Sequence, residues 1–176
     1  IKAVLTAEID LLWFGGIGAY IKASTQSHAD VGDKSNDILR VDAKDVRAKV
    51  IAEGANLGVT QACRIEFARK GGRINTDAID NSAGVDSSDH EVNIKILTAE
   101  AIREGALKEQ DRNALLASMT DDVGLLVLEN NYDQTGALSV MQATAPADLD
   151  SHQGLIETLE SQGKLDRVVE GLPSNE

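Results

Sequence analysis

The sequence predicts an α/β fold with mostly parallel strands over residues 1–105, followed by a purely helical segment over residues 106–176. Three observations support this prediction. The short apolar runs at residues 9–14 and 49–53 each end in a glycine-containing loop, which is typical of buried parallel strands. A helix-sized stretch after the second run leads into a third strand at residues 73–75, so strand, helix and strand form one crossover unit. Beyond that unit the pattern is helical to near the end of the chain.

Local signals set the bounds of the other elements. Residues 24–37 are polar and predict a long surface loop with room for a helical turn. Thr60 is the predicted N-cap of a helix over residues 61–70. The longest helix is predicted to run from Ser88 to about residue 104, because Ser88 and Glu91 have the spacing of a capping box. Later helices are predicted at residues 108–118, 121–130, 135–143 and 151–162.

The composition argues against several classes of function. A net charge of -12 repels phosphate backbones, so we expect no nucleic-acid partner. No apolar run approaches the roughly 18 residues of a membrane span, so we expect no membrane partner. The single cysteine, Cys63, excludes an internal disulfide and indicates a reducing, cytoplasmic location, with its thiol packed inside a helix. The three histidines lack metal-ligand spacing, so we expect no metal site.

Small residues follow the first two predicted strands, and small polar residues follow the third. In an open α/β sheet, dinucleotides and substrates bind beyond the carboxyl ends of the strands, where small side chains let a ligand approach the backbone. The candidates are Gly15, Gly16 and Gly18 after the first strand, Gly54, Ala55 and Asn56 after the second, and Asn81 after the third. Ser88 joins them because the free N–H groups at a helix N-terminus favour an anion.

Each candidate also suits a plainer role. Gly54 and Asn56 suit an ordinary turn, with Gly54 at positive φ and Asn56 bonding its own backbone. Asn81 suits a polar turn, and Ser88 suits a simple helix cap. The residues alone favour these plainer roles.

Longer strings resemble a known family, the large NAD-specific bacterial glutamate dehydrogenases, at the end of their catalytic region. The matching strings are LLWFGGIGAYIKAS, SHADVGDKSND, KVIAEGANLGVTQ, GGRINTDAIDNSAGVDSSDHEVNIK and MTDDVGLLVLENNY. The resemblance covers essentially the whole chain. Because the chain starts with Ile1 and not Met, we expect a fragment of a longer polypeptide.

The resemblance implies a partial Rossmann-like nucleotide-binding domain over residues 1–105 and the start of a C-terminal helical region over residues 106–176. It implies reversible oxidative deamination of L-glutamate to 2-oxoglutarate and ammonium, with NAD as the hydride acceptor, in a homo-oligomeric parent enzyme. In the family the catalytic lysines and aspartate and the glycine-rich pyrophosphate turn lie upstream. We therefore expect no catalytic residue in this chain, and no activity from the chain alone.

The resemblance also assigns roles to single residues. It places at the cofactor Gly15, Gly16, Gly18, Gly54, Ala55, Asn56 and Asn81, the last on the nicotinamide side. It assigns Ser88 to a substrate carboxylate, with the hydroxyl proton left for the substrate. Ala83 stands where smaller hexameric glutamate dehydrogenases have a glycine, and at positive φ that alanine would cost about 1 kcal/mol.

Two alternatives stay open. One is a related amino-acid dehydrogenase with a different side-chain specificity, although the hydroxyl of Ser88 suits an acidic side chain. The other is an oligomerisation or regulatory module, in which the apolar block over residues 115–128 is a contact surface. The pattern itself favours a core helix for that block.

Overall fold

The structure is a computed structural model that describes residues 1–175. It is a mixed α/β fold with a small parallel sheet and mostly helices. The strands are β1 (Leu11–Phe14), β2 (Ile21–Lys22), β3 (Val41–Asp42), β4 (Val50–Glu53) and β5 (Arg73–Ile74). The helices are α1 (Lys2–Leu5), α2 (His28–Val31), α3 (Gln61–Arg69), α4 (Asp77–Asp80), α5 (Ser82–Arg103), α6 (Glu109–Ser118) and α7 (Thr120–Ser161), with 3-10 turns at Lys34–Asn36 and Ala43–Asp45.

The three predicted strands form one parallel sheet in the order β1-β4-β5, which confirms them. Phe14 pairs with Glu53, so the carboxyl ends of β1 and β4 lie side by side. β2 and β3 form a separate parallel pair in which Ile21 lies beside Val41. β2 was not predicted, because a strand of two residues is too short to show an alternating pattern.

Helix α3 connects β4 to β5 and begins as predicted. The hydroxyl of Thr60 accepts a hydrogen bond from the backbone N–H of Cys63 at 3.2 Å, which caps the helix. Cys63 and Phe67 on its inner face pack into the core with Leu12 and Ile51 of the sheet. Burial raises the pKa of the Cys63 thiol to about 12, as suits a packing residue.

One face of β1 is not covered. Leu12 and Phe14 point into the core, whereas Leu11 and Trp13 on the opposite face are 51% and 56% exposed. β1 also lies at the edge of the sheet. The prediction of a fully buried strand is therefore wrong for this face, although parallel sheets are usually covered on both sides.

The predicted start of the long helix is wrong. Helix α5 begins at Ser82, so Ser88 lies in its second turn and forms no capping box. Asn131 of α7 explains the earlier start, because its side-chain amide donates to the carbonyl of Ile79 and to the hydroxyl of Ser82, both at 3.0 Å. This contact fixes the junction between α4 and α5, and local sequence cannot reveal it.

The helices predicted at residues 121–130, 135–143 and 151–162 are one helix, α7, which is also the longest. Thr135 donates to the carbonyl of Asn131, four residues earlier, so its hydroxyl is satisfied inside the helix and does not end it. Pro146 also lies inside α7. The core-helix prediction for residues 115–128 is wrong for half of the eight large apolar side chains of the block, since Leu115, Leu125, Leu126 and Leu128 are exposed.

Candidate functional site

The loops after β1 and β4 start at the same edge of the sheet. The backbone N–H of Gly54 donates to the carbonyl of Phe14 at 2.8 Å. A Cβ on Gly54 would lie 2.6 Å from Cζ2 of Trp13, so the indole packs where a side chain would stand. Close packing against Trp13 is therefore the local reason for a glycine at position 54.

The ordinary-turn alternative for this loop is not what the structure shows. Among residues 1–175, Leu57 is the one non-glycine residue with positive φ, at 64°, and Gly54 does not have positive φ. The backbone N–H of Leu57 is held by the Asp77 carboxylate at 2.9 Å. The strained position of the loop thus lies three residues beyond the one that the turn interpretation requires.

Asn81 joins the two later loops. Its side-chain amide nitrogen donates to the carbonyl of Ala55 at 3.0 Å and to Oδ1 of Asn56. The structure therefore brings together three predicted site residues, although Ala55 and Asn81 are 26 positions apart in the sequence. Ala83 lies in the regular helix α5 and does not have positive φ. The energetic cost that positive φ would impose on an alanine therefore does not arise at this position.

Asn56 and Asn81 border a surface cleft of about 630 Å³, within the size range of small-molecule sites, whereas Gly54 and Ala55 do not line it. Its lining comes from the loop after β4, from α4, from the first turns of α5 and from α7. The lining residues are Asn56, Leu57, Asp77, Ala78, Asn81, Ser82, Val85, Asp86, Asp89 and Gln134. The sequence interpretation missed the three aspartates and Gln134, because acidic residues on a helix usually mark a solvated face.

The cleft is acidic. Burial disfavours the charged form of Asp77, but the hydrogen bond from Leu57 and the nearby guanidinium of Arg64 outweigh it, so the pKa of Asp77 lies below its usual value. Asp86 and Asp89 add two further carboxyl groups from α5. Three carboxylates disfavour a phosphate group here and favour a ligand part that is neutral or positively charged.

The first glycine loop stands apart from this lining. Gly15, Gly16 and Gly18 do not border the cleft. Gly18 has φ 129° and a Cβ on it would lie 2.7 Å from Nδ2 of Asn36, so both conformation and packing require glycine. A Cβ on Gly16 would meet no heavy atom within 4 Å among the described residues. The geometry therefore gives Gly18 a local role and leaves open space beside Gly16.

Ser88 does not border the cleft either. It is exposed, and its hydroxyl donates to the carbonyl of Val85 at 2.7 Å. In this structure the hydroxyl proton of Ser88 is used inside helix α5, and Ser88 lies beyond the first turn, where the free N–H groups are found. The contact of Ser88 with a substrate carboxylate stays a prediction. Ser88 lies next to Asp89, at the margin of the lining.

No helix within residues 1–175 combines the length and apolar character that a membrane crossing requires. In the same part of the chain, His, Cys, Asp and Glu side chains form no group of three or more that could hold a metal ion.

Comparison with known proteins gives the family. Residues 1–141 match the family described as bacterial NAD-glutamate dehydrogenase, catalytic domain. The chain is 58% identical over all its 176 residues to an NAD-specific glutamate dehydrogenase of Pseudomonas aeruginosa. It is 54% identical over 174 residues to one of Mycobacterium tuberculosis and 50% identical over 176 residues to one of Halomonas elongata. The chain spans only 11% of the length of each of these relatives. On the extent of this match, the chain belongs to the family of bacterial NAD-glutamate dehydrogenase catalytic domains.

Proposed function

We propose that this chain is part of an NAD-dependent glutamate dehydrogenase that catalyses reversible oxidative deamination of L-glutamate to 2-oxoglutarate and ammonium. In this proposal residues 1–105 are the C-terminal part of a Rossmann-like nucleotide-binding domain, and residues 106–176 are a helical C-terminal segment. The observation that carries it is the set of hydrogen bonds that joins Asn81 to Ala55 and Asn56, with the two asparagines lining one cleft. The single, buried cysteine fits a cytoplasmic enzyme.

The two asparagines leave one donor and one acceptor for a ligand. Asn81 uses its amide nitrogen on Ala55 and on Oδ1 of Asn56. Within the described residues, Nδ2 of Asn56 and Oδ1 of Asn81 have no side-chain hydrogen bond of their own. A donor beside an acceptor complements the carboxamide of a nicotinamide or a pair of ribose hydroxyls.

The charge of the cleft supports the same orientation. The oxidised nicotinamide ring is positively charged, whereas the pyrophosphate of NAD is negatively charged. Asp77, Asp86 and Asp89 therefore favour the nicotinamide end of the cofactor at this cleft and disfavour its pyrophosphate. NAD supplies the hydride acceptor, and the residues of this chain hold and orient it.

The chemical steps need residues that lie outside this chain. Asp77 lines the cleft, but its lowered pKa leaves it a carboxylate bonded to the backbone of Leu57 and not a proton donor. The buried Glu53 is held by Arg64, and Cys63 is packed in the core. We therefore expect the chain alone to be inactive. Orientation of the cofactor is its contribution, and correct orientation supplies up to roughly 7–11 kcal/mol of a barrier reduction.

Replacing Asn56 by alanine in the full-length enzyme tests the cofactor role. Loss of one neutral hydrogen bond of about 1 kcal/mol corresponds to a roughly fivefold higher KM for NAD. Asn93→Ala is the matched control, because Asn93 is an exposed asparagine of α5 whose side chain, within residues 1–175, bonds only the carbonyl of Asp89, at 2.9 Å. Equal KM values for NAD in the two variants would count against the proposal.

We further propose that Ser88 contacts the substrate carboxylate in the full-length enzyme, at the margin of the same cleft. The hydroxyl would have to turn away from the Val85 carbonyl when substrate binds. In Ser88→Ala we expect kcat/KM for glutamate to fall by the equivalent of about 1–3 kcal/mol, with NAD affinity unchanged. An unchanged rate would remove Ser88 from the site. A preference for an amino acid without an acidic side chain would instead support the related dehydrogenase.

A contact module is the second candidate function, favoured by the exposed apolar side chains of the helices. Leu125, Leu126 and Leu128 of α7 and Ile96 and Leu97 of α5 are each 46% exposed or more. Such a surface suits subunit contact in a homo-oligomeric enzyme. The mass of the 176-residue chain in solution, measured over a range of concentrations, tests this candidate. A strict monomer at every concentration would count against it.

A further inference from the structure

Beyond the residues that line the cleft, we infer that Glu53 and Arg64 form a buried ion pair that positions Asn56 and Asn81 for the cofactor. Both are positioning residues, since neither borders the cleft. The inference rests on the proposed function. Its support is a set of contacts that starts at Arg64 and ends one residue from each asparagine.

The guanidinium of Arg64 ties three segments together. One nitrogen donates to Oε2 of Glu53, at the end of β4, at 2.8 Å and to the carbonyl of Val59 at 3.2 Å. The other donates to the carbonyl of Asn75, just after β5, at 2.9 Å. Arg64 is 6% exposed and Glu53 is fully buried. A planar group with several donors can hold these positions at once, which the single ammonium of a lysine cannot do.

Two aspartates extend this set to the asparagines. The Asp77 carboxylate lies 3.8 Å from Arg64 and accepts from the backbone N–H of Leu57, the neighbour of Asn56. The Asp80 carboxylate accepts from the backbone N–H of Glu53 at 3.1 Å, and Asp80 directly precedes Asn81. Each asparagine is therefore one residue away from a bond that belongs to this network.

The Glu53–Arg64 ion pair is not explained by its contribution to stability. Burial raises the pKa of Glu53, although Arg64 opposes that shift. Among the described residues Oε1 of Glu53 is buried and has no hydrogen-bond partner. An unsatisfied buried carboxylate oxygen is unfavourable, and apolar residues of similar volume often replace buried ion pairs without loss of stability. What apolar residues cannot replace is the set of directional bonds to Asn75 and Val59.

The test uses the full-length enzyme with the double substitution Glu53→Leu and Arg64→Met, which keeps the interior neutral and filled. We expect it to fold with a thermal midpoint close to that of the wild type. Its kcat/KM for NAD should fall about tenfold to a hundredfold, as expected when reacting groups are misplaced by a fraction of an ångström to 1 Å. The dissociation constant for NAD, measured by titration without turnover, should rise in parallel.

The control keeps the strands and removes an ion pair at their other end. Asp10 and Lys49 precede β1 and β4 and form an exposed pair at 2.7 Å. The double substitution Asp10→Asn and Lys49→Gln should leave both NAD constants unchanged. A Glu53→Leu and Arg64→Met enzyme that folds and has wild-type NAD affinity and kcat would overturn the inference.

A second variant applies if that double substitution does not fold. Arg64→Lys keeps a cation beside Glu53 but loses the simultaneous bonds to Val59 and Asn75. We expect weaker NAD binding in a folded protein, and wild-type NAD affinity would again overturn the inference. A wild-type enzyme that binds NAD but does not oxidise glutamate would refute the proposed reaction, whereas the positioning role would still be decided by the NAD affinities of the variants.

Discussion

The substitution Gly72→Ala would bring a methyl group into steric overlap with the ring of Phe67. A Cβ on Gly72 would lie 2.3 Å from Cε1 of Phe67 and 2.5 Å from both Cδ1 and Cζ. Phe67 is 3% exposed and packs into the core, so its ring cannot shift without disturbing that packing. The backbone cannot yield easily either, because the N–H of Gly72 donates to the carbonyl of Phe67 at 3.1 Å. We expect destabilisation of about 3 kcal/mol, at the upper end of overpacking.

The same substitution at Gly84 has the opposite expected sign. Gly84 lies in α5, and within residues 1–175 no heavy atom outside the local helix backbone lies within 4 Å of an added Cβ. Alanine should therefore stabilise the helix by about 1 kcal/mol through its higher helix propensity. Urea unfolding of the 176-residue chain measures both effects. If the dependence of the free energy of unfolding on urea concentration is unchanged, the substitution has changed stability alone. If Gly72→Ala were as stable as the wild type, the packing of Phe67 against this turn would be refuted.

Three further predictions concern a carboxylate, a thiol and a proline. Hydrogen bonds from Ser24 lower the pKa of Glu66 from 4.5 to about 2, so the stability they confer is present above pH 4.5 and is lost as the pH falls towards 2. Because solvent screens part of the effect, we expect Glu66→Gln to lower the free energy of unfolding by about 1–2 kcal/mol at neutral pH. Near pH 2 the free energies of unfolding of the variant and the wild type, measured by urea titration, should be equal. Cys63 should resist iodoacetamide in the folded chain and react fully in urea, and fast labelling of the native chain would contradict its burial. Pro146→Ala should slow amide hydrogen exchange around position 146 of α7, since proline costs about 3 kcal/mol in a helix interior, and unchanged exchange would argue against a continuous helix there.

Elements with strong local signals could be predicted from the sequence. β1 and β4 are apolar runs closed by glycine-containing loops, and both were predicted close to their observed bounds. Thr60 was predicted as the cap of α3 because a hydroxyl before an amphipathic stretch satisfies a free N–H of the first turn. In these elements the information lies within a few neighbouring residues.

Elements that depend on distant contacts could not be predicted. The start of α5 is fixed by Asn131, which follows Ser82 by 49 positions. The Ser88 and Glu91 spacing is that of a capping box, but Glu91 instead pairs with Lys95 one turn further along the same helix. A spacing rule cannot tell these two uses of a glutamate apart, because both place it on the same helix face.

The candidate site was predicted in part. The sequence placed Ala55, Asn56 and Asn81 at strand ends, and the structure joins them by hydrogen bonds. Their role at NAD stays a prediction. Asp86 and Asp89 were missed because acidic residues on a helix usually mark a solvated face, and the cleft that they line also needs residues of the loop after β4 and of α7.

The exposed face of β1 carries an intrinsic fluorescent probe. Trp13 is the single tryptophan of the sequence, it is 56% exposed, and its indole packs against Gly54 beside the candidate site. Indole emission shifts to shorter wavelength when water is removed from the ring. The wavelength of maximum tryptophan emission therefore reports whether another segment of protein covers this face of the sheet.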